Sequence, residues 1–134
     1  MALKYSVAVR NARLDAVEST IGTGALLQLF TGAAPANCAA ADSGTKLIEI
    51  TLPSDWMNAA SGGTKTKLGT WSDTVIANGD AGYFRIKDST GTTCGAQGTV
   101  TATGGGGDLT LDNITLAIGQ VLTENSFTLT AGNP

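Results

Sequence analysis

From residue 25 onward, the sequence breaks into short runs of β-branched and aromatic residues that are separated by turn-forming residues. These runs cover residues 25–31, 46–52, 82–87, 99–102, 109–111, 114–117, 120–123 and 126–130. Runs of this length suit β-strands rather than helices. Many short strands at close spacing are typical of a sandwich or barrel. The sequence therefore predicts a mainly β protein, with an antiparallel β-sandwich over residues 23–134.

The first 22 residues have a different period. From residue 6 to residue 21 the apolar side chains recur at helical spacing, at Val7, Leu14, Val17 and Ile21. Gly22 then supplies a C-terminal stop. We expect one α-helix, forming an N-terminal arm of residues 1–22 that can be removed without unfolding the sandwich. Its apolar stripe must be covered by its own sheet or by a neighbouring protein, so Val7, Leu14, Val17 and the polar-face Arg10 are candidate interface residues.

Local patterns give more detailed predictions for the strands. In the run 46–52, alternation turns Ile48, Ile50 and Leu52 toward the core. The pair Asn78-Gly79 accepts positive φ easily, so we predict a tight hairpin between a strand within 70–77 and the strand 82–87.

Several segments are predicted as loops. The glycine-rich segment 61–65 is predicted as an exposed loop, and the run 104–107 as a mobile loop tip. Residues 31–44 are predicted as a long surface connection.

Charge and hydropathy limit the partners. Only 14% of the residues are charged and the net charge is −3, with no stripe of Lys and Arg, so we expect no nucleic-acid binding. No stretch approaches the roughly 20 apolar residues of a membrane span, so we expect no membrane partner. Because the N-terminal residues lack the pattern of a secretion signal, we expect synthesis in a cytoplasm.

The chain contains no histidine, which removes the commonest general base, the commonest zinc ligand and every Ser-His or Cys-His nucleophile. Ser43 and Lys46 match an S-x-x-K pattern, but they lie in a loop entering a strand rather than at a helix start. The glycine run before Asp108 resembles one calcium-binding β-roll repeat, but the aspartate is one residue out of register and the motif does not recur. We therefore interpret Asp108 and Asp112 as turn-capping carboxylates rather than calcium ligands. We therefore predict a non-enzyme with no catalytic residues, no metal and no cofactor.

Aromatic and basic side chains leave some alternatives open. Phe30, Phe84 and Phe127 fall in strands and are predicted as core. Trp56 and Trp71 lie in or near loops, where an indole serves either as core or as an exposed contact anchor. Arg85 points away from its apolar neighbours, so we interpret it as a solvent-facing or interface charge.

Cys38 and Cys94 are far apart in sequence and have no CxxC partner. Two independent buried thiols are the favoured interpretation in a cytoplasmic setting. A disulfide formed after release into an oxidising medium is the alternative.

The order of segments resembles the small structural proteins of tailed-bacteriophage virions, including head decoration (cement) proteins. The segments that carry the resemblance are 10–17, 21–22, 27–36, 47–50, 81–86 and 126–130. The resemblance implies a jelly-roll-like sandwich, often a trimer, attached to the major capsid protein or another virion protein, with no catalytic residues. A neck, collar or tail position is the alternative within the virion, and a receptor- or carbohydrate-binding module is the alternative outside this class.

Overall fold

The computed structural model describes residues 3–132. The first two residues of the predicted arm and the last two of the predicted sandwich lie outside this range. The chain is mainly β, as predicted, with one helix, α1 (Val7–Ile21). The strands are β1 (Leu26–Thr31), β2 (Lys46–Thr51), β3 (Thr64–Thr66), β4 (Trp71–Thr74), β5 (Gly79–Lys87), β6 (Cys94–Ala102), β7 (Leu109–Leu111), β8 (Thr115–Leu116), β9 (Val121–Glu124) and β10 (Thr128–Thr130).

Helix α1 has a defined cap at each end, and the helix prediction is confirmed. The Ser6 hydroxyl accepts a hydrogen bond from the Val9 N–H, the usual role of an N-cap serine. Gly22 ends the helix with a φ of 96°, a conformation that favours glycine, and its N–H donates to the Glu18 carbonyl at 2.9 Å.

The strands form one large sheet and two small ribbons. The sheet has the order β2-β1-β5-β6-β7, with β8 paired to the start of β5. Its pairs are antiparallel except β6 and β7, which run parallel. The ribbons pair β10 with β3 and β4 with β9.

The main core lies against one face of the sheet. Register places Leu29 opposite both Ile48 and Phe84, so these side chains share that face, and all three are buried. Aromatic rings extend the core into the ribbons, because Phe84 meets Phe127 edge-on with centroids 5.6 Å apart, and Phe127 lies 5.7 Å from Trp71. The predicted core positions Phe30, Phe84, Phe127, Ile48, Ile50 and Leu52 are all buried.

The opposite face of the sheet carries polar side chains and the stacked rings of Phe30 and Tyr83, and the loop 32–44 covers it. Arg85 on this face is only 2% exposed; its Nη1 donates to the Asp42 carboxylate at 2.8 Å and its Nη2 to the Asn37 carbonyl at 3.1 Å. Lys87 reaches the other Asp42 oxygen at 2.7 Å. The Tyr83 hydroxyl donates to the Ser43 carbonyl at 2.6 Å. The long connection is thus an ordered cover of the sheet.

A disulfide between Cys38 and Cys94 fastens this loop to the start of β6, with Cα atoms 5.3 Å apart. The favoured interpretation of two independent thiols is therefore wrong. The interpretation of Arg85 as a solvent-facing or interface charge is wrong for a related reason. Its side chain points away from the core as expected, but the loop folds back over it and supplies its carboxylate partner from within the chain.

The hairpin predicted at Asn78-Gly79 is also wrong. Strand β4 pairs with β9 rather than with β5, and Gly79 is the first residue of β5. Glycine is needed there for a different reason, because its φ is 154° and an added Cβ would lie 2.8 Å from Thr31 Cγ2. Part of the segment predicted as an exposed loop is strand β3, in which Lys65 is buried.

Candidate contact surface

Three large apolar side chains are exposed on neighbouring segments of the chain. Ile76, Ile118 and Val121 are 52%, 65% and 67% exposed. Ile76 follows β4, Ile118 lies in the turn before β9, and Val121 is the first residue of β9. We call these three residues the apolar patch.

Hydrogen bonds hold the two segments of the patch together. The Val75 N–H donates to the Gln120 carbonyl at 2.8 Å, and the Gly119 N–H donates back to the Val75 carbonyl at 2.9 Å. The Asn78 side-chain oxygen accepts a hydrogen bond from the Ile118 N–H at 2.8 Å. Asn78 therefore links these segments instead of forming the predicted turn. The backbone under the patch is therefore fixed.

Leaving these side chains in water has a cost. Full burial of one Ile or Val side chain contributes about 1.5–3 kcal/mol relative to exposure. Single exposed apolar residues are common, whereas contiguous exposed apolar patches often mark interaction surfaces. The apolar patch, carried by two hydrogen-bonded segments, is therefore a candidate contact surface.

A cleft of about 530 Å³ adjoins the patch, because Gln120 and Val121 also line its rim. Within β9, Leu122 and Glu124 are buried whereas Val121 and Thr123 are exposed, so Glu124 faces inward. The other lining residues are Thr103, Thr110, Leu111, Asp112, Asn113, Thr123, Asn125 and Ser126. Most of them carry hydroxyl, amide or carboxylate groups.

Glu124 is the most unusual group in this cleft, because it is 3% exposed. Its Oε1 accepts a long hydrogen bond of 3.4 Å from the Ser126 N–H, and its Oε2 has no partner among the described residues. Burial raises the pKa of Glu124 to about 7, and the like charge of Asp112 adds to the rise while Lys67 opposes it. Near neutral pH this carboxyl therefore titrates.

The predicted arm is docked on its own domain. Leu14 is buried and Val17 packs against the core, whereas Val7 is 49% exposed at the helix start. The Arg10 Nε donates to the Ala131 carbonyl at 2.6 Å, next to the last strand. The apolar side chains Leu14 and Val17 are therefore covered by the chain's own β domain and not by a neighbouring protein.

Buried polar contacts secure this docking, and we call Asp15, Glu18 and Lys65 the helix clasp. One Glu18 oxygen accepts from the N–H groups of Trp56 and Met57 at 2.9 and 2.8 Å. Lys65, 2% exposed, reaches Asp15 at 2.7 Å and Glu18 at 3.2 Å. The hydrogen bond from Lys65 holds the pKa of Asp15 below its usual value.

Trp56 and Trp71 are fully buried, so the core interpretation is correct and the contact-anchor interpretation is wrong. Their ring centroids lie 6.2 Å apart. Trp56 Nε1 donates to the Gly22 carbonyl and Trp71 Nε1 to the Leu68 carbonyl, both at 3.1 Å. These partners satisfy both indole N–H groups inside the core.

The sequence analysis missed the apolar patch and Glu124. A signal for Glu124 is present in the run Val121-Leu122-Thr123-Glu124, since alternation places it on the same side as Leu122. The patch has no comparable signal, because Ile76 lies in a predicted strand and Ile118 between two predicted strands, and neither position indicates exposure until the strand pairing is known. Asp108 Oδ2 accepts from the Thr99 N–H at 3.0 Å and from the Thr99 hydroxyl at 3.1 Å, so this carboxylate links the segment before β7 to β6 instead of capping a turn.

Residues 3–132 hold no group of three His, Cys, Asp or Glu side chains placed to share a metal ion. Nor do they contain a helix long and apolar enough to cross a membrane. Comparison with protein-family models, curated proteins and solved structures gave no match to this chain.

Proposed function

We propose that this chain is a non-catalytic structural protein of a tailed-phage virion, with head decoration (cement) favoured over a neck, collar or tail position. The observation that carries the proposal is the apolar patch of Ile76, Ile118 and Val121, presented on a fixed backbone. The low share of charged residues supports close packing of many copies. The resemblance in segment order supports the virion assignment.

The role is mechanical. Each copy would bridge adjacent shell subunits, such as those of the major capsid protein, and so raise the temperature or force needed to separate them. Contacts that are weak singly become strong when repeated around a closed ring. We therefore expect a homo-oligomer, with a trimer favoured, made in the host bacterial cytoplasm and incorporated into the virion.

The same proposal includes the finer architecture that the resemblance implies, an antiparallel jelly-roll-like sandwich. In that arrangement the six-strand sheet is one layer and the two ribbons contribute to the other. The Phe84–Phe127 and Trp71–Phe127 ring contacts support a sheet that packs on the ribbons. An experimental structure in which these strands do not form two packed layers would contradict this part of the proposal.

The experiment changes the patch without changing the core. Ile118→Ser and Val121→Ser, singly and together, remove exposed apolar area. Leu68→Ser is the matched control, since Leu68 is 36% exposed outside the patch. Light scattering after size-exclusion chromatography measures the oligomer, and co-sedimentation measures attachment to shells prepared without this protein.

We expect the unchanged chain and Leu68→Ser to bind shells saturably, in a fixed ratio to the capsid subunit. The double patch variant should lose at least about tenfold in affinity, which corresponds to about 1.4 kcal/mol of lost contact energy. A monomer that binds no shell, or a double variant that binds as well as the control, would contradict the proposal.

The carbohydrate-binding alternative depended on Trp56 and Trp71 as a stacking surface. Both indoles are buried and bonded to backbone carbonyls. That alternative therefore has no aromatic platform in these two residues. The apolar patch suits a protein surface better than a sugar.

A further inference from the structure

We propose that the cleft beside the apolar patch binds the guanidinium or ammonium group of an arginine or lysine side chain from the protein that the patch contacts. This inference rests on the proposed function, since it assigns the partner's chemistry at the same surface. The geometry that carries it is the buried residue Glu124, which lines the cleft and whose Oε2 has no hydrogen-bond partner within residues 3–132.

A buried carboxylate oxygen without a hydrogen bond is costly, and proteins normally pair such an atom. The chain's own nearby cation does not do this. Lys67 donates to the Gly69 carbonyl at 2.6 Å and its Nζ lies 5.6 Å from the centre of the Trp71 ring. The Asp112 carboxylate lines the same cleft, so the charge around Glu124 favours an incoming cation.

The size and chemistry of the cleft favour a side chain over a metal ion. Calcium takes six to eight oxygen ligands at short range, whereas this cleft holds two carboxylates in a volume of about 530 Å³. That volume accommodates a long side chain. Leu111 and Leu122 would contact its aliphatic stem, and the amides of Asn113 and Asn125 offer oxygen acceptors for its N–H groups.

The position of the cleft connects it to the patch. Val121 belongs to both, so a partner that covers the patch places its adjacent residues at the cleft rim. An apolar contact with one enclosed charge pair at its side is a common arrangement in specific interfaces. The apolar patch would supply affinity, and the Glu124 pair would fix orientation.

The test uses the purified chain and small mimics of the side chains, so it does not depend on obtaining shells. N-acetyl-arginine amide and N-acetyl-lysine amide are titrated by calorimetry at pH 7 and constant ionic strength, with calcium chloride alone as a separate titration. The variants are Glu124→Gln and Asp112→Asn. Glu49→Gln is the matched control, because Glu49 is a partly exposed glutamate paired with Lys46 at 2.9 Å.

We expect at least one mimic to bind the unchanged chain and Glu49→Gln, and to bind Glu124→Gln at least about tenfold more weakly. Because Glu124 has a pKa of about 7, binding should also release about half a proton at pH 7. Comparing buffers of different ionisation enthalpy measures this release, which Glu124→Gln should abolish.

Absence of binding by both mimics would overturn the inference, as would equal binding to Glu124→Gln. Glu124-dependent binding of calcium with no binding of the mimics would overturn it in favour of a metal site. None of these results decides the proposed function, which the patch variants test independently. Conversely, if a mimic binds but the chain does not bind shells, the inference about the cleft stands and the virion assignment is wrong.

Discussion

Replacing Glu18 by alanine should be among the most destabilising single changes in α1. The Glu18 carboxylate accepts two backbone N–H groups, from Trp56 and Met57, and both of those residues are buried. It is also one of the two carboxylates that pair with the buried Lys65. The change therefore leaves two buried donors without an acceptor and a buried cation with half of its partners.

The size of the effect follows from these contacts. A hydrogen bond to a charged group contributes about 1.5–3 kcal/mol, and an orphaned buried donor costs a similar amount. Glu18 keeps 18% of its side chain exposed, so water can replace part of the loss. We expect the free energy of unfolding to fall by about 3–5 kcal/mol, and the melting temperature by about 10–20 °C.

Urea unfolding followed by tryptophan fluorescence measures this change, because Trp56 lies at the clasp. Glu49→Gln is the control and should cost about 1 kcal/mol or less, since its ion pair lies at the surface. A loss below about 1 kcal/mol for Glu18→Ala would refute the reasoning that polar contacts secure the helix.

Three further predictions concern the whole domain. Residues 23–134 alone should be unfolded by circular dichroism, because they lack Leu14 and the helix clasp; a folded fragment would restore the arm interpretation. Reducing the Cys38–Cys94 disulfide should lower the free energy of unfolding by about 4 kcal/mol, since the bond closes a loop of 56 residues. Unfolding with and without reductant tests this, and equal midpoints would show that the disulfide adds no stability beyond the contacts that Arg85, Lys87 and Tyr83 make with the loop. The folded pKa of Glu124 lies above its ordinary value of 4.5, so its contribution is complete below pH 4.5 and is lost as pH rises through about 7. Stability should fall by about 3 kcal/mol across that window, and Glu124→Gln should remove this fall.

Local patterns predicted most of the secondary structure. The helical spacing of Leu14, Val17 and Ile21 was sufficient to identify α1, and alternation correctly identified Ile48 and Ile50 as core. These signals are local, because each depends only on neighbours within a turn or a strand. The mainly β class follows from them.

Long-range pairing could not be predicted in the same way. The Asn78-Gly79 pair has the conformational preference of a turn, but β4 pairs with β9, about 50 residues along the chain. The burial of Arg85 depends on the loop 32–44 returning over the sheet, and the disulfide depends on the same return. No local sequence pattern near Arg85 or Cys94 predicts the path of that loop.

The contact between Arg10 and the Ala131 carbonyl also determines when this protein can finish folding. During synthesis α1 emerges before Ala131, which follows Arg10 by 121 residues, and the Ala131 N–H in turn donates to the Gly63 carbonyl. Helix α1 therefore cannot complete its contacts with the β domain until residue 131 has been translated. Until then Arg10 lacks its carbonyl partner and β3 lacks its partner strand β10, so the nascent chain exposes unpaired segments that favour aggregation.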